Sequence, residues 1–553
     1  MPRIQIPNFQ NRQWSGIFPG EDSGLIFSGR GIDLERNKGK VGLADSYSDL
    51  FDSSEAGFSN LTTPIAFVRS SADNTDRWWT NAGRLFKTTN TNPETGWAED
   101  AITDTPTAPL YDLIDFAGAL IVPTSTDLSR LAAGIWTASW WQGTLAQPAL
   151  TANPHRFFIL AGALVFTDGR LIHDFDGTVA RSSALTLPTG FRAEGGVVLG
   201  EIGYIFGAQI GGGETYVYVW DRISTNYLAR YPVGDTEILC AFVIDSVYIV
   251  TKKGLIKRFN GSAFEIVQQF PTVETQGQIN SIHPNGVSVT ENIAKIFVDF
   301  GVIGNTRVSS GFWIFDALNR NLYNAGSVRN TTTRDYAQYE LAGAGALKQT
   351  AVNQGLYLVG AQVYASYSGT TRYGIFSSDE NGTSNQGYFI TSKLRAQNVR
   401  RFWRYIFPIL RRMDNADDRV RIAFRFSDSN ELPAYETITW LTASTFTASN
   451  SDIGAGDIVE VIAGENAGAI ARITDITGTT VTIDRSLYSS TASARVRYLR
   501  FIDIGNIANV QLQSTRFIFT VRSEWVQFLI EMRGSETSPS LESLIIDFKE
   551  IPV

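Results

Sequence analysis

The chain has little of what reactive sites are usually built from. Its 553 residues include one cysteine and three histidines. A lone Cys240 excludes an internal disulfide framework and a cysteine-rich zinc site. Within Glu237-Ile-Leu-Cys-Ala-Phe-Val243 it reads as a small buried hydrophobe rather than a reactive thiol. His155, His173 and His283 sit in no His-Glu-x-x-His or Cys/His spacing, which argues against a histidine metal cluster. A Gly-x-Ser-x-Gly elbow and a Walker-type phosphate loop are also missing, so serine hydrolases and P-loop enzymes lose their sequence support. The longest apolar run, residues 238–250, is broken by Asp245 and falls short of the roughly 20 residues of a membrane-spanning helix. Met1-Pro-Arg-Ile-Gln-Ile-Pro-Asn-Phe9 has neither an apolar core nor a small-residue cleavage site, so a soluble chain made in the cytoplasm is expected. Four Asn-x-Ser/Thr sequons, at Asn60, Asn260, Asn330 and Asn381, follow from an Asn- and Thr-rich composition. With 47 Lys and Arg against 55 Asp and Glu, the formal charge is −8. No overall field favours nucleic acid or an anionic membrane, and neither is expected as a partner.

What is present is strand signal. Short runs of Val, Ile, Tyr, Phe and Trp alternate with Gly, Asn and Asp clusters and show almost no helical period, which predicts an all-β protein. A length of 553 residues demands more than one core. Seven apolar runs align between residues 64 and 395: Ile65-Ala-Phe-Val68, Ala119-Leu-Ile-Val122, Ala163-Leu-Val-Phe166, Gly203-Tyr-Ile-Phe206, Val247-Tyr-Ile-Val250, Lys295-Ile-Phe-Val298 and Gly355-Leu-Tyr-Leu358. Most are followed by a second strand ending in a polar corner, as in Tyr216-Val-Tyr-Val-Trp-Asp221 and Phe312-Trp-Ile-Phe-Asp316. Recurrence every ~40–60 residues suits four-stranded propeller blades, and predicts a seven-bladed β-propeller over 64–395. Stacked β-sandwiches are the alternative. Residues 1–63 are expected to close that propeller or dock to a neighbour.

Beyond residue 395 the pattern changes. Arg400-Arg-Phe-Trp-Arg-Tyr-Ile-Phe407 and Val420-Arg-Ile-Ala-Phe-Arg-Phe426 alternate apolar with charged positions, as a strand with one buried face does. With the closing strands Phe517–Val521, Val526–Met532 and Leu541–Phe548 they predict a β-sandwich from 396–435 plus 495–553. The Gly-punctuated stretch 436–494 between them predicts an inserted small β-barrel that protrudes and touches another subunit.

No catalytic residue is assigned, and no cofactor or metal is expected; the reading is of a protein that is not an enzyme. Asp174, Asp176, Asp221 and Asp316 end strands, where an Asp accepts backbone hydrogen bonds in a tight turn, although glycosidases need only two carboxylates across a cleft. A Ser-x-Asp-x-Gly-x-x-Trp box is absent, and Asp379-Glu-Asn-Gly382 lacks the alternating ligands of a calcium loop. Candidate interface residues are Arg400, Arg401, Trp403 and Arg404 on the basic aromatic strand, and the pairs Trp78-Trp79 and Trp140-Trp141, which could stack on sugar rings but more often fill blade interfaces.

Three segments carry a resemblance. Gly456-Asp-Ile-Val-Glu-Val-Ile462, the Gly464–Ile473 stretch and Gly478-Thr-Thr-Val-Thr-Ile-Asp484 resemble small barrel domains of virion adaptor, tail and fibre proteins. Val526–Gly534 with Thr537-Ser-Pro-Ser-Leu541 and Ile545-Ile-Asp-Phe548 resembles the sandwich end of phage structural proteins. Gly31-Ile-Asp-Leu-Glu-Arg36 is similar to openings of tail-nozzle chains that carry a propeller. The resemblance to bacteriophage tail proteins implies a structural virion component, located in the tail. It further implies a homo-oligomeric ring and other tail proteins as partners. A host surface glycan, bound or degraded by the propeller, is the second reading.

Overall fold

The fold comes from a computed structural model. It describes residues 3–6, 26–33, 41–52, 64–69, 75–80, 84–88, 97–99, 112–124, 126–151, 155–270, 278–303, 306–307, 311–318, 320–326, 339–341, 346–349, 357–365, 370–383, 386–391, 393–395, 401–411, 413, 418–427, 435–464, 466, 469–487, 493–508, 516–534 and 539–550. Almost every regular element among them is a β-strand.

Six consecutive antiparallel sheets of four strands follow one another from residue 64 to residue 326, each paired in simple chain order. The innermost strands are Pro64–Arg69, Ile114–Phe116, Phe157–Leu160, Phe191–Leu199, Ile238–Val243 and Ser281–Thr290, and they open blades 1 to 6. Blade 7 is composite. Ala346–Gln349 lies between the innermost strands of blades 6 and 1, Tyr357–Ala365 and Thr370–Thr383 follow, and Asp45–Asp52 from the start of the chain pairs as the outer strand. The ring therefore has seven blades, and an early strand completes the last one.

Burial explains the apolar runs. In the inner blades the second strand is covered on both faces by the blades before and after it. Ala119–Pro123, Ala163–Asp168 and Val247–Thr251 are accordingly buried at every position. A strand covered twice reads as continuous hydrophobe rather than as alternation. Five of the seven aligned runs fall on second strands, and of the run at 355–358 the described residues Tyr357 and Leu358 open the corresponding strand of blade 7; Ile65–Val68 lies instead on the innermost strand of blade 1.

The sandwich packs two sheets face to face. One is ordered Arg3–Ile6, Leu541–Glu550, Arg401–Leu410, Phe517–Ser523; the other is Ile26–Arg30, Gln386–Thr391, Trp525–Arg533, Arg419–Phe426, Ile502–Ala508. Their inner faces bury Trp403, Ile406, Val420, Ile422, Phe528, Ile530 and Ile546. The same core takes in Phe297, Phe312 and Tyr323 of blade 6, so propeller and sandwich share apolar contacts. Gly387 is required at its position, because a Cβ there would collide with the Gly31 carbonyl of the N-terminal segment.

Three expected boundaries move. Gln386–Thr391 and Leu394–Arg395, read as propeller, pair with Trp525–Arg533 in the sandwich. Residues 1–63 do more than close the ring: Arg3–Ile6 and Ile26–Arg30 add a strand to each sandwich sheet. Ser493–Leu499, divided by the sequence reading at residue 495, belongs wholly to the barrel, which closes through Glu436–Thr442, Thr445–Thr447, Thr480–Ile483, Ile470–Thr477, Ile458–Gly464 and Ser493–Leu499.

The barrel does not stand off from the sandwich as expected. Its own core holds Trp440, Phe446, Val459, Val461 and Val496. Ile458, Ile470 and Leu499 instead pack outward with Tyr388, Ile390, Ala423 and Leu529 of the sandwich. Buried Glu460 binds across the joint: it accepts the Tyr388 hydroxyl and the Arg497 guanidinium, the latter at 2.8 Å from Nε. Two units joined by a shared apolar cluster and a satisfied buried carboxylate should unfold together. Leu529→Ala is expected to cost ~2–5 kcal/mol and to lower protection of barrel strand Ile470–Thr477 and sandwich strand Arg419–Phe426 equally in hydrogen exchange. Unchanged barrel protection would show the units to be independent.

Candidate functional site

The innermost strands of blades 3 to 6 surround a cavity of about 350 Å³ on the propeller axis. Its charged and polar lining comes from Asp112, Arg156, Arg192, Glu194, Glu237 and Asn285. Arg192 binds Glu194 at 2.6 Å, and Lys252 lies 3.9 Å from Glu237, so acids and bases are mixed here. Cys240 also lines the cavity; burial pushes its thiol up, which leaves it without thiolate character at neutral pH.

A bulge shapes this site. In Ser281–Thr290 the pairing register slips between Ile282 and Val287, which throws His283-Pro-Asn-Gly286 out of the ladder. Asn285 thereby reaches Asp112, which lies just before blade 2 on the other side of the ring, and donates to it at 3.0 Å. Asp112 also accepts Leu113 N at 2.9 Å and Phe157 N at 3.1 Å. One carboxylate thus ties blades 2, 3 and 6 across the axis. Burial raises its pKa, and this outweighs Arg156 and the three hydrogen bonds that favour the charge. No sequence pattern singled out Asp112; only the fold brings residues 112 and 285 together.

The strand-end aspartates divide into two roles. Asp176, Asp221 and Asp316 cap turns: Asp176 accepts Thr178 N and Val179 N, Asp221 accepts Ile223 N and Ser224 N, and Asp316 accepts Leu318 N. Asp174 differs. It is fully buried and is gripped by Arg181 of blade 3, at 2.8 Å from Nε, and by Arg222 of blade 4, also at 2.8 Å. It is an ionic tie between adjacent blades.

The two described histidines of blade 3 are equally internal. His173 Nδ1 accepts Ser183 N at 3.0 Å while Nε2 faces Asp168 at 3.5 Å, and Asp168 also accepts Thr151 N at 2.9 Å. Burial works against the Asp168 charge, but His173 and Thr151 hold its pKa below the usual carboxylate range. The His173 ring stacks on Phe166 and meets Trp141 edge-on. An Asp–His pair sealed in this way has no face open to a substrate.

The proposed interface residues need correction where the structure describes them. Trp140 and Trp141 are buried between blades 2 and 3, against Phe166 and Phe175, and Trp141 Nε1 donates to Pro148 O at 3.0 Å. They fill a blade interface and offer no platform for a sugar. Trp403 is likewise buried in the sandwich core against Phe548. Arg401 and Arg404 stay partly exposed: Arg401 lies 4.0 Å from the Phe548 ring centroid, and Arg404 pairs with Asp547 at 3.4 Å. Trp78 and Trp79 lie on Asp76–Thr80, the second strand of blade 1; their side chains, and Arg400 altogether, fall outside the described residues. Among the described residues no group of three or more His, Cys, Asp or Glu could hold a metal, and no helix is long and apolar enough to cross a membrane.

No protein-family model matches the chain, and no curated protein does. Among solved structures it is similar to the computationally designed Ika8 protein, with 12% identity over 59% of this chain and 89% of that one, at a TM-score of 0.35. Chaetomium thermophilum Raptor matches at 10% identity over 61% of this chain and 29% of its own, with a TM-score of 0.39. The RRP9 WD40 repeats match at 11% identity over 60% of this chain and 99% of theirs, with a TM-score of 0.37. The propeller assignment rests on the strand pairing itself.

Two substitutions separate the roles of the buried carboxylates. Asp174→Ala, which leaves Arg181 and Arg222 without their shared partner, is expected to cost ~3 kcal/mol, at the low end because Arg181 reaches water; a loss below about 1 kcal/mol in denaturant unfolding would refute the tie. Asp112 has a raised folded pKa, so its contribution is fully present below the unfolded value and is lost as pH rises through the folded one. The stability of the wild type relative to Asp112→Asn should therefore fall as pH is raised from about 3 towards 7. A difference that rises or stays flat contradicts the assignment.

Proposed function

We propose that this chain is a structural component of a bacteriophage virion, in the tail, where it offers a rigid β scaffold to neighbouring subunits. The observation that carries the reading is the joining of three β units into one body. Blade 6 contributes to the sandwich core, the barrel shares an apolar cluster with the sandwich, and strands from the first 52 residues complete both the ring and the sandwich. Such construction resists relative motion of its parts, as a rigid scaffold requires. The barrel and sandwich-end segments that resemble phage tail proteins, Gly456–Asp484 and Val526–Phe548, form the two elements fused in this way. The strand-end aspartates weighed as a glycosidase pair are engaged in turns and in a blade tie. A homo-oligomeric ring with other tail proteins as partners is part of the proposal.

A glycan-binding propeller is the second reading, favoured by the cavity of about 350 Å³, whose lining mixes charged and apolar side chains and whose volume is within the usual range for small-ligand sites. The two readings part in one experiment. Mass spectrometry of purified phage particles from the source is expected to find this chain in a fixed copy number, and the purified protein is expected to release no reducing sugar and to bind no host glycan on an array. Absence from particles, or glycan turnover abolished by Asp112→Asn, would reverse the assignment.

A further inference from the structure

The joint between barrel and sandwich holds a second, polar cavity of about 190 Å³, lined by Arg419, Arg421, Asp484, Asn506, Glu531 and Arg533. Register puts the arginines there. In the pairing of Arg419–Phe426 with Trp525–Arg533, Arg419 stands directly opposite Arg533 and Arg421 opposite Glu531; in the pairing with Ile502–Ala508, Arg421 stands opposite Asn506. Residues opposite one another in an antiparallel ladder share a face, and like charges in that position are destabilising unless something lies between them.

The carboxylates nearby are already engaged. Asp484 holds Arg421 at 2.7 Å and accepts Arg472 N at 2.9 Å; Asp503 lies 3.1 Å from Arg472 and 3.4 Å from Arg421; Glu531 takes Arg485 and, at 3.0 Å, Arg533 Nε. Four guanidiniums thus share three carboxylates, and Arg419 adds a fifth positive charge to the lining. Burial raises the pKa of Glu531, against the pull of Arg485 and Arg421, so the negative side of this balance is weaker than the count implies. Arg472, beside the cavity, has buried Nε and Nη2 without a hydrogen-bond acceptor, so donors outnumber acceptors in this cluster.

We propose that this cavity is a binding site for a small tetrahedral oxyanion of the phosphate class, held by Arg419 and Arg533 across the ladder, with Arg421 and the Asn506 amide completing the set. Guanidinium forks suit such an oxyanion because they deliver paired, charge-assisted hydrogen bonds. The volume is below the range of sites for drug-sized ligands, which favours a free ion over a nucleotide. All four ligands belong to sandwich strands; barrel residue Asp484, itself a carboxylate, meets the site only through its 2.7 Å pair with Arg421. The inference does not depend on the virion reading.

Inorganic phosphate is the probe, and the full chain is the sample. Thermal unfolding is expected to shift upward with the logarithm of phosphate concentration once that concentration exceeds Kd, as ligand linkage requires, while chloride at matched ionic strength gives a smaller shift. Phosphorus NMR should show phosphate line broadening that the double variant Arg419→Gln/Arg533→Gln removes. Arg419 is exposed, so the single variant Arg419→Gln is expected to remain folded and to weaken phosphate binding at least about tenfold, on the scale of one charge-assisted contact. Equal shifts with chloride, or broadening that survives in Arg419→Gln and in the double variant, would overturn the site. Sulfate acting as well as phosphate supports the oxyanion class; preference for a phosphomonoester such as glycerol phosphate over inorganic phosphate would overturn the free-ion assignment.

Discussion

Every unit of this protein depends on pairing the exposed edge of a sheet. An edge strand carries a row of unsatisfied N–H and C=O groups, and a sheet that leaves it open recruits other chains. Here strands distant in sequence cover the edges. Asp45–Asp52 completes blade 7 more than 300 residues ahead of its partner Thr370–Thr383, and Arg3–Ile6 flanks Leu541–Glu550 at the other end of the chain. The barrel has no open edge at all. Once these pairings exist, the ring closes, the sandwich gains its outer strands, and shared apolar clusters can form between units that would otherwise turn independently.

The propeller was legible because burial on both faces leaves a plain trace. Ala163–Asp168 and Val247–Thr251 carry no alternation to confuse with anything else, and their spacing gives the blade count. Blade 1 shows where that signal fails. Its second strand, Asp76-Arg-Trp-Trp-Thr80, opens with two charged residues, so the apolar run detected was that of its inner neighbour. The division near residue 395 was visible as a change from uniform to alternating hydrophobicity. The exact handover was not, since Gln386-Gly-Tyr-Phe-Ile-Thr391 has the composition of either unit and only its partner strand decides.

Site residues were less legible than strands, for a physical reason. Tryptophan and arginine are amphipathic, and sequence alone does not say which end of the side chain meets water. Trp140, Trp141 and Trp403 are candidate interface residues by sequence, with blade packing the favoured alternative for the first two; the π-helical turn Trp140–Thr144 buries that pair, and ladder register turns Trp403 inward. Asp176, Asp221 and Asp316 were readable as turn caps because capping is a local interaction of two or three residues. Asp112 and the arginine cavity were not, because their partners lie far off in sequence: Asn285 reaches Asp112 only through the bulge in blade 6, and Arg419 meets Arg533 only through sheet register.

The buried polar groups follow a common rule of placement. Asp112 lies where blades face one another across the axis, Asp174 where two blades meet side by side, Glu460 and Glu531 where barrel meets sandwich. Apolar surfaces tolerate sliding, since dispersion contacts are non-directional, whereas a buried carboxylate with fixed donors accepts one arrangement and penalises the rest. Hydrophobic clusters therefore account for cohesion at these joints, and the carboxylates for their geometry. In a chain assembled from repeated blades of similar shape, cohesion alone would allow a blade to pack against the wrong neighbour. A set of ties that differ at each joint removes that freedom, and fixes the surface that the assembled body presents.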